Sequence, residues 1–456
     1  MSAIVRGRIE VKPWLYAGMT MLALAAAVVH ASEAPGRFFV HDTTPLAFQQ
    51  PVADLDDATL QQFTRGRALF NQLWVASPSL DPALDGLGPT FNQSSCAACH
   101  LRNGRGKAPS GPNERLRGLL VRLSVRLPDG TTAPHPAYGD QLQESAVLGV
   151  PAEGRAIVQW QEQTRVLADG AQVSLRKPII KLTSLKFGEA DHLLLSPRLA
   201  PQLIGLGLLD AVPAEVLEQL VATPRPDGIS GRVNRIPDGK GGFTVGRFGW
   251  KANSADLRQQ TANAFSGDLG ITSSVQPSEN CPPVQELCAA LPFASPDLTD
   301  EQLAAIVLYQ SALAVPAPRD QDAAAVVQGR LLFEQAGCQH CHVPELVSGN
   351  EAALPVFANQ RFEAYTDLLL HDMGEGLADG RPDFEANERE WRTPPLWGLG
   401  LIPVVNEHRE LLHDGRARNV LEAILWHDGE AAAAAARVAA MSADERTALE
   451  AFVLSL

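Results

Sequence analysis

Apolar positions along this chain change period several times, and each change predicts a different element. From Asp57 to Leu73 the pattern is helix-like and carries Gly66-Arg67-Ala68-Leu69-Phe70. Val121, Leu123, Val125 and Leu127 then alternate with polar residues, the period of a half-buried strand, and Pro128-Asp129-Gly130 supplies a turn. Val158-Gln159-Trp160 and Val173-Ser174-Leu175 flank Asp169-Gly170, which predicts a hairpin. Asp227-Gly228 reads as a further turn, with too few acidic neighbours for a calcium loop. Thr299 with Gln302 forms a capping box that opens a helix to about Ala314, and Val315-Pro316-Ala317-Pro318 reads as a linker. Ser442 with Glu445 caps a last helix whose Leu449, Phe452, Val453 and Leu456 share one face.

One of these patterns occurs twice. Gly329-Arg330-Leu331-Leu332-Phe333 repeats the Gly66–Phe70 signature, so the chain contains an internal duplication. A cysteine-rich motif comes after each copy and carries the chemistry. Cys96-Ala97-Ala98-Cys99-His100 and Cys338-Gln339-His340-Cys341-His342 both read C-x-x-C-H, the attachment signal of a c-type haem. Two thiols at that spacing can add across the vinyl groups of one porphyrin, and the adjacent histidine reaches the iron. A zinc site would need four converging ligands, and a redox C-x-x-C pair has no use for the histidine. The predicted fold is therefore mainly α: two cytochrome c-like haem domains with a β-rich insertion in the first. The predicted boundaries are an N-terminal haem domain over 32–318, with the insertion at about 115–245 covering one of its faces, and a C-terminal haem domain over 319–456. Phe333 lies five residues before Cys338, whereas Phe70 lies 26 before Cys96, so an extra loop belongs to the first copy.

Composition adds compartment and partners. Arg6, Arg8 and Lys12 precede an apolar run over 14–29, and Val29-His30-Ala31 offers a cleavage site, so residues 1–31 read as a signal peptide. The alternative is an uncleaved membrane anchor. Either way the remainder lies outside the cytoplasm, where bacteria attach c-type haem, and a periplasmic location is expected. The formal net charge is −14, and losing the leader removes three basic residues and one acidic one. Nothing forms a basic patch for nucleic acid, whereas a small basic redox partner would be steered favourably. Cys281 and Cys288 flank Pro282-Pro283 and read as a short disulfide, with a redox-active pair as the alternative.

Longer stretches carry a family likeness. They include Gly88-Pro89-Thr90-Phe91-Asn92, Ser196-Pro197-Arg198-Leu199-Ala200-Pro201, Arg247-Phe248-Gly249-Trp250-Lys251-Ala252, Asp268-Leu269-Gly270-Ile271-Thr272-Ser273, Arg392-Thr393-Pro394-Pro395-Leu396-Trp397 and His413-Asp414-Gly415-Arg416. Through them the chain resembles the di-haem oxidoreductases of peroxidase or thiol-oxidoreductase type, distant relatives of bacterial di-haem cytochrome c peroxidases and MauG-type enzymes. The resemblance implies two covalently bound haems, one passing electrons and one meeting hydrogen peroxide. It implies His100 and His342 as proximal iron ligands. The distal position of the electron-transfer haem falls on His427, with Met373 as competitor and His371 or His413 as further alternatives. No histidine follows His100 until His135, which leaves the first haem either open to substrate or closed by His135 or His192.

The resemblance also implies Trp250, Gln260 (or Gln259) and Asp268 as the residues that relay electrons, orient peroxide and move its proton. Thr393 and Pro395 are the expected partners of a calcium ion between the domains. The expected activity is an exported di-haem oxidoreductase, peroxidase-like, with electrons entering at the C-terminal haem from a small redox protein or quinol-linked donor. The rival readings are a pure electron carrier and a thiol oxidoreductase cycling Cys281 and Cys288.

Overall fold

The computed structural model describes residues 36–291 and 296–456, so the leader expected over 1–31 lies outside the described residues. Helix α1 (Asp57–Asn71) starts where the Asp56 side chain accepts a hydrogen bond from Thr59 N, satisfying a free helix-end donor. The strands β1 (Leu119–Arg126), β2 (Arg155–Val166), β3 (Gln172–Thr183) and β4 (Leu193–Leu199) form two antiparallel ladders, β1 with β4 and β2 with β3. The expected alternation buries Val121 and Leu123, and Gly130 and Gly170 take the left-handed backbone that their turns require. Helix α2 (Leu257–Ala264) runs directly into a wide turn over Phe265–Leu269. Helices α3 (Asp300–Ser311), α4 (Ala324–Ala336), α5 (Val420–Leu425) and α6 (Ala443–Ser455) come later in the chain. Both predicted capping boxes are formed, Thr299 with Gln302 and Ser442 with Glu445.

The duplicated signature is a helix-crossing device. A Cβ at Gly66 would lie 2.0 Å from Ala305 O and 2.7 Å from Tyr309 Cβ, so α1 meets α3 backbone to backbone. A Cβ at Gly329 would lie 1.9 Å from Ala448 O and 2.7 Å from Phe452 Cβ, so α4 meets α6 in the same way. The aromatic residue of each signature packs beside its crossing, Phe70 on Tyr309 and Phe333 on Phe452. Each pair of crossed helices then holds one C-x-x-C-H turn.

The expectation of a mainly α fold is wrong. About 30% of the described residues are helical and 21% are in strands or bridges, spread over many small sheets. The physical reason lies in the 37 glycines and 33 prolines, which break the chain between helices into turns and two-residue ladders. The Pro-punctuated stretch read as a linker shows the effect. Val315–Pro316 is buried and pairs in parallel with Phe39–Val40, with Val315 N and Ala317 N making the bonds that Pro316 cannot.

The β2–β3 hairpin reaches farther than a cover over the first copy. Its base packs on β1 and β4 through Ala156, Val158 and Ile180. Its tip lies on the second half of the chain. There Ala168 N bonds to Ala439 O, Arg446 pairs with Asp169, and Leu167 and Leu175 pack with Leu425 and Trp426. No helix among the described residues is long and apolar enough to cross a membrane.

Candidate functional site

The first C-x-x-C-H motif is one helical turn, closed by His100 N donating to Cys96 O at 3.0 Å. His100 Nδ1 lies 2.8 Å from the Pro201 carbonyl. A carbonyl only accepts, so Nδ1 carries the proton and Nε2 keeps a free lone pair. The second motif repeats this. His342 N donates to Cys338 O at 2.9 Å, and Nδ1 donates to Tyr365 O at 2.9 Å. Burial lowers both histidine pKa values to about 4, which keeps each imidazole neutral as an iron ligand must be. Burial pushes the Cys96 and Cys338 thiols up to about 12, and all four motif cysteines are free of disulfides.

Both motifs line one cavity of about 1120 Å³. A single small-molecule site measures roughly 300–1,000 Å³, so the space and the donor set both fit a pair of haems.

Among the distal candidates, His427 shares the geometry of the proximal pair. It lines the cavity and donates Nδ1–H to Ala423 O at 2.7 Å, one turn back on α5, leaving Nε2 free. It also lies near enough to His342 to depress that residue's pKa. His371 is different. Burial alone would lower its pKa, but bonds to Asp367, the Cys341 sulfur and Glu430 lift it to about 12. Both of its ring nitrogens are engaged by carboxylates, Nδ1 by Glu430 and Nε2 by Asp367. His413 lies flat on Trp391, with ring centroids 3.6 Å apart and planes 9° apart, and Met373 packs against the same tryptophan cluster. His135 adjoins the lining residue Pro134 but is not itself part of the wall, and its Nδ1 accepts from Ala137 N; His192 is likewise not part of the wall.

The wall near the first motif carries carboxamides and a carboxylic acid. Gln260, Ala264 and Asp268 follow one another at four-residue steps along α2 and its wide turn, and all three line the cavity. Gln259 lines the cavity as well, with its Oε1 accepting from Ala255 N at 2.7 Å. Burial raises the Asp268 pKa to about 6, against the lowering effects of Gln141 and Arg122. Gln141, 1% exposed, donates to Asp268 Oδ1 at 2.8 Å, and its own Oε1 accepts from Arg122, which is paired with Asp140. Sequence reading missed Gln141. The turn after β1 was legible, but nothing local showed that the next segment would face a residue 127 positions later.

Trp250, 8% exposed, donates Nε1–H to Leu199 O at 2.7 Å, clusters with Trp391 and Trp426, and lines the cavity that both motifs share. The expected calcium partners are otherwise engaged or unaccompanied. Thr393 O accepts from Thr366 Oγ1 at 2.6 Å, and the described residues hold no group of three or more acidic, histidine or cysteine side chains placed for a metal. Nearby, the buried Lys251 ammonium donates to Asp379, Arg381 O and Asn387 O at 2.7–3.0 Å. Cys281 and Cys288 form a disulfide and do not line the cavity.

The model of a protein family described as "Di-haem oxidoreductase, putative peroxidase" matches residues 27–456. No curated protein matches the chain. Among solved structures, hydrazine synthase of Kuenenia stuttgartiensis, solved under xenon pressure, aligns at 15% identity over 99% of this chain and 100% of that one, with a TM-score of 0.38.

Proposed function

We propose, from the premise that this chain belongs to the di-haem oxidoreductases and is a haem enzyme, that its two motifs divide one reaction between an electron-receiving site and a peroxide site. In this reading the cysteine pairs Cys96/Cys99 and Cys338/Cys341 form thioether links, and His100 and His342 are the proximal ligands. Bound haem supplies an iron that exchanges single electrons and, where a coordination position is open, takes up hydrogen peroxide. The observation that carries the assignment is the difference between the two facing walls. His427 repeats the orientation of the proximal histidines beside His342, whereas the wall near His100 presents Gln260, Asp268 and Gln141.

The chain's own residues then have these tasks. His427 closes the second site and makes it the entry point for electrons. Trp250, on the wall of the shared cavity, would relay them toward the first. Gln260 binds peroxide by its amide. Asp268 would accept a proton from one oxygen of hydrogen peroxide and return it to the other. Gln141 holds Asp268 Oδ1 as an acceptor, so the moving proton resides on Oδ2.

The net charge of −14 favours a small basic redox protein as electron donor, with a quinol-linked donor as the second option. The Cys281–Cys288 disulfide, outside the cavity lining, supports an oxidising compartment such as the periplasm rather than a thiol reaction.

Low-temperature EPR of the oxidised holoprotein tests the division. One high-spin and one low-spin ferric signal are expected, with the high-spin one lost when peroxide is added. Two low-spin signals that ignore peroxide, also after one-electron reduction, would replace this reading with that of an electron carrier.

A further inference from the structure

Five arginines among the described residues line the cavity, and they fall into two groups. Arg122 pairs with Asp140, and Arg198 and Arg381 pair with Asp383. Arg105 and Arg392 are buried at 5% and 8% exposure, yet neither has a carboxylate within ion-pair distance among the described residues. Arg105 donates Nη2–H to Leu412 O, and its Nε–H has no acceptor. The acids whose charge it feels, Glu410 and Asp414, are already paired with Arg176 and Arg416. The Arg392 side chain bonds among the described residues only to the carbonyls of Gly249, at 2.9 Å, and Thr393, at 3.4 Å. Asp367, the acid near it, is held by Arg225 and His371. A guanidinium taken out of water without a counter-charge is strongly unfavourable, so each position calls for an anion that the polypeptide does not supply.

A haem brings such an anion, because each porphyrin carries a pair of propionate carboxylates that suit the planar fork of arginine. We propose that Arg105 and Arg392 are the propionate clamps of the two haems, Arg105 for the haem at Cys96/Cys99 and Arg392 for the haem at Cys338/Cys341. Arg105 follows His100 closely in the chain. Arg392 lies by Asp367, whose partner His371 is 3.7 Å from the Cys341 sulfur. Both clamps also meet at one dipeptide. The Arg105 guanidinium lies 5.2 Å from the Trp250 ring centroid, while Arg392 donates to Gly249 O and, by its backbone, to Trp250 O. The two propionate edges are thereby brought to Trp250 from the two halves of the chain. The inference rests on haem occupying the cavity and not on any reaction with peroxide.

The test is a redox titration of the holoenzyme with resonance Raman detection of the propionate bending modes, on Arg105→Gln and Arg392→Gln. Signals are assigned to each haem with His100→Met and His342→Met. A nearby cation favours the reduced iron, so its removal should lower the potential of the matching haem alone and shift that haem's propionate modes. Arg258→Gln, which removes an exposed charge paired with Asp300, should move neither haem. If a glutamine variant fails to load haem, Arg105→Lys and Arg392→Lys replace it, since they keep the charge but lose the fork and should still shift the propionate modes. Unchanged modes in the loaded variants, equal shifts at both haems, or shifts at the opposite haem would each overturn the proposal. A protein inert to peroxide would still show the expected pattern, so the two readings fail independently.

Discussion

The two halves of this enzyme share a scaffold and differ in what faces it. In each, a glycine lets two helices cross in backbone contact, an aromatic residue packs the crossing, and a C-x-x-C-H turn presents a histidine held by a main-chain carbonyl. In the second half His427, just past the end of α5, lines the cavity with its Nδ1 on a main-chain carbonyl. Among the described residues the first half places no histidine besides His100 in that way. Its facing wall is built from α2 and from the segment after β1, which brings Gln141 onto Asp268. Duplication therefore supplied two equivalent cradles, and in the proposed reading the chemistry is divided by what was added around one of them.

Changing the shared part should hurt both halves alike and most severely. Gly66→Val and Gly329→Val each place a Cβ about 2 Å from a carbonyl oxygen, well beyond ordinary overpacking at roughly 1–3 kcal/mol. Each should abolish soluble holoprotein, or lower its melting temperature sharply by calorimetry. Unequal losses would show that the crossings are not equivalent.

Changing the unshared part should separate the halves. Asp268→Asn should reduce peroxide turnover by roughly a hundred- to ten-thousand-fold while leaving the low-spin EPR signal of the second half unchanged. In the proposed reading the carboxylate form is the base, and burial raises its pKa to about 6. Turnover should therefore rise with pH through about 6, and Asp268→Asn should remove that limb. Gln141→Leu should act more gently. It takes away a hydrogen bond that favours the carboxylate, so the limb should move to higher pH, with a loss smaller than that of Asp268→Asn. A limb that stays in place would detach Gln141 from the reaction. The smallest effect is expected from the double substitution of Cys281 and Cys288 by Ser, which should lower the melting temperature modestly and leave turnover unchanged. Loss of turnover there would revive the thiol reading.

The sequence was most readable where interactions are local. The haem motifs, the Gly66 and Gly329 signatures, the Asp169-Gly170 hairpin turn and the capping boxes at Thr299 and Ser442 are all written within a few residues. The balance of helix and strand was not legible, because glycine and proline leave short ladders between the helices, as at Val315–Pro316, where the local pattern suggests only a linker. The site was half legible. Gln260 and Asp268 fall on one helical face that spacing can reveal. Gln141, Arg105 and Arg392 owe their importance to burial and to partners far along the chain, or to the lack of one, and no local pattern records that.

The reach of the β2–β3 hairpin bears on how such a protein can be recombined. The stretch around Pro318 invites a cut, as though each half could be exchanged like a cassette with that of a relative. The hairpin belongs to the first half by chain order, yet its tip is anchored through Ala168 and Asp169 to Ala439 and Arg446. A chimaera joined at Pro318 would inherit one side of that contact without the other and would expose Leu167 and Leu175, now buried against Leu425 and Trp426. The unit of inheritance is the whole chain, and a shuffled library should yield soluble members only when the hairpin travels with the helices it grips.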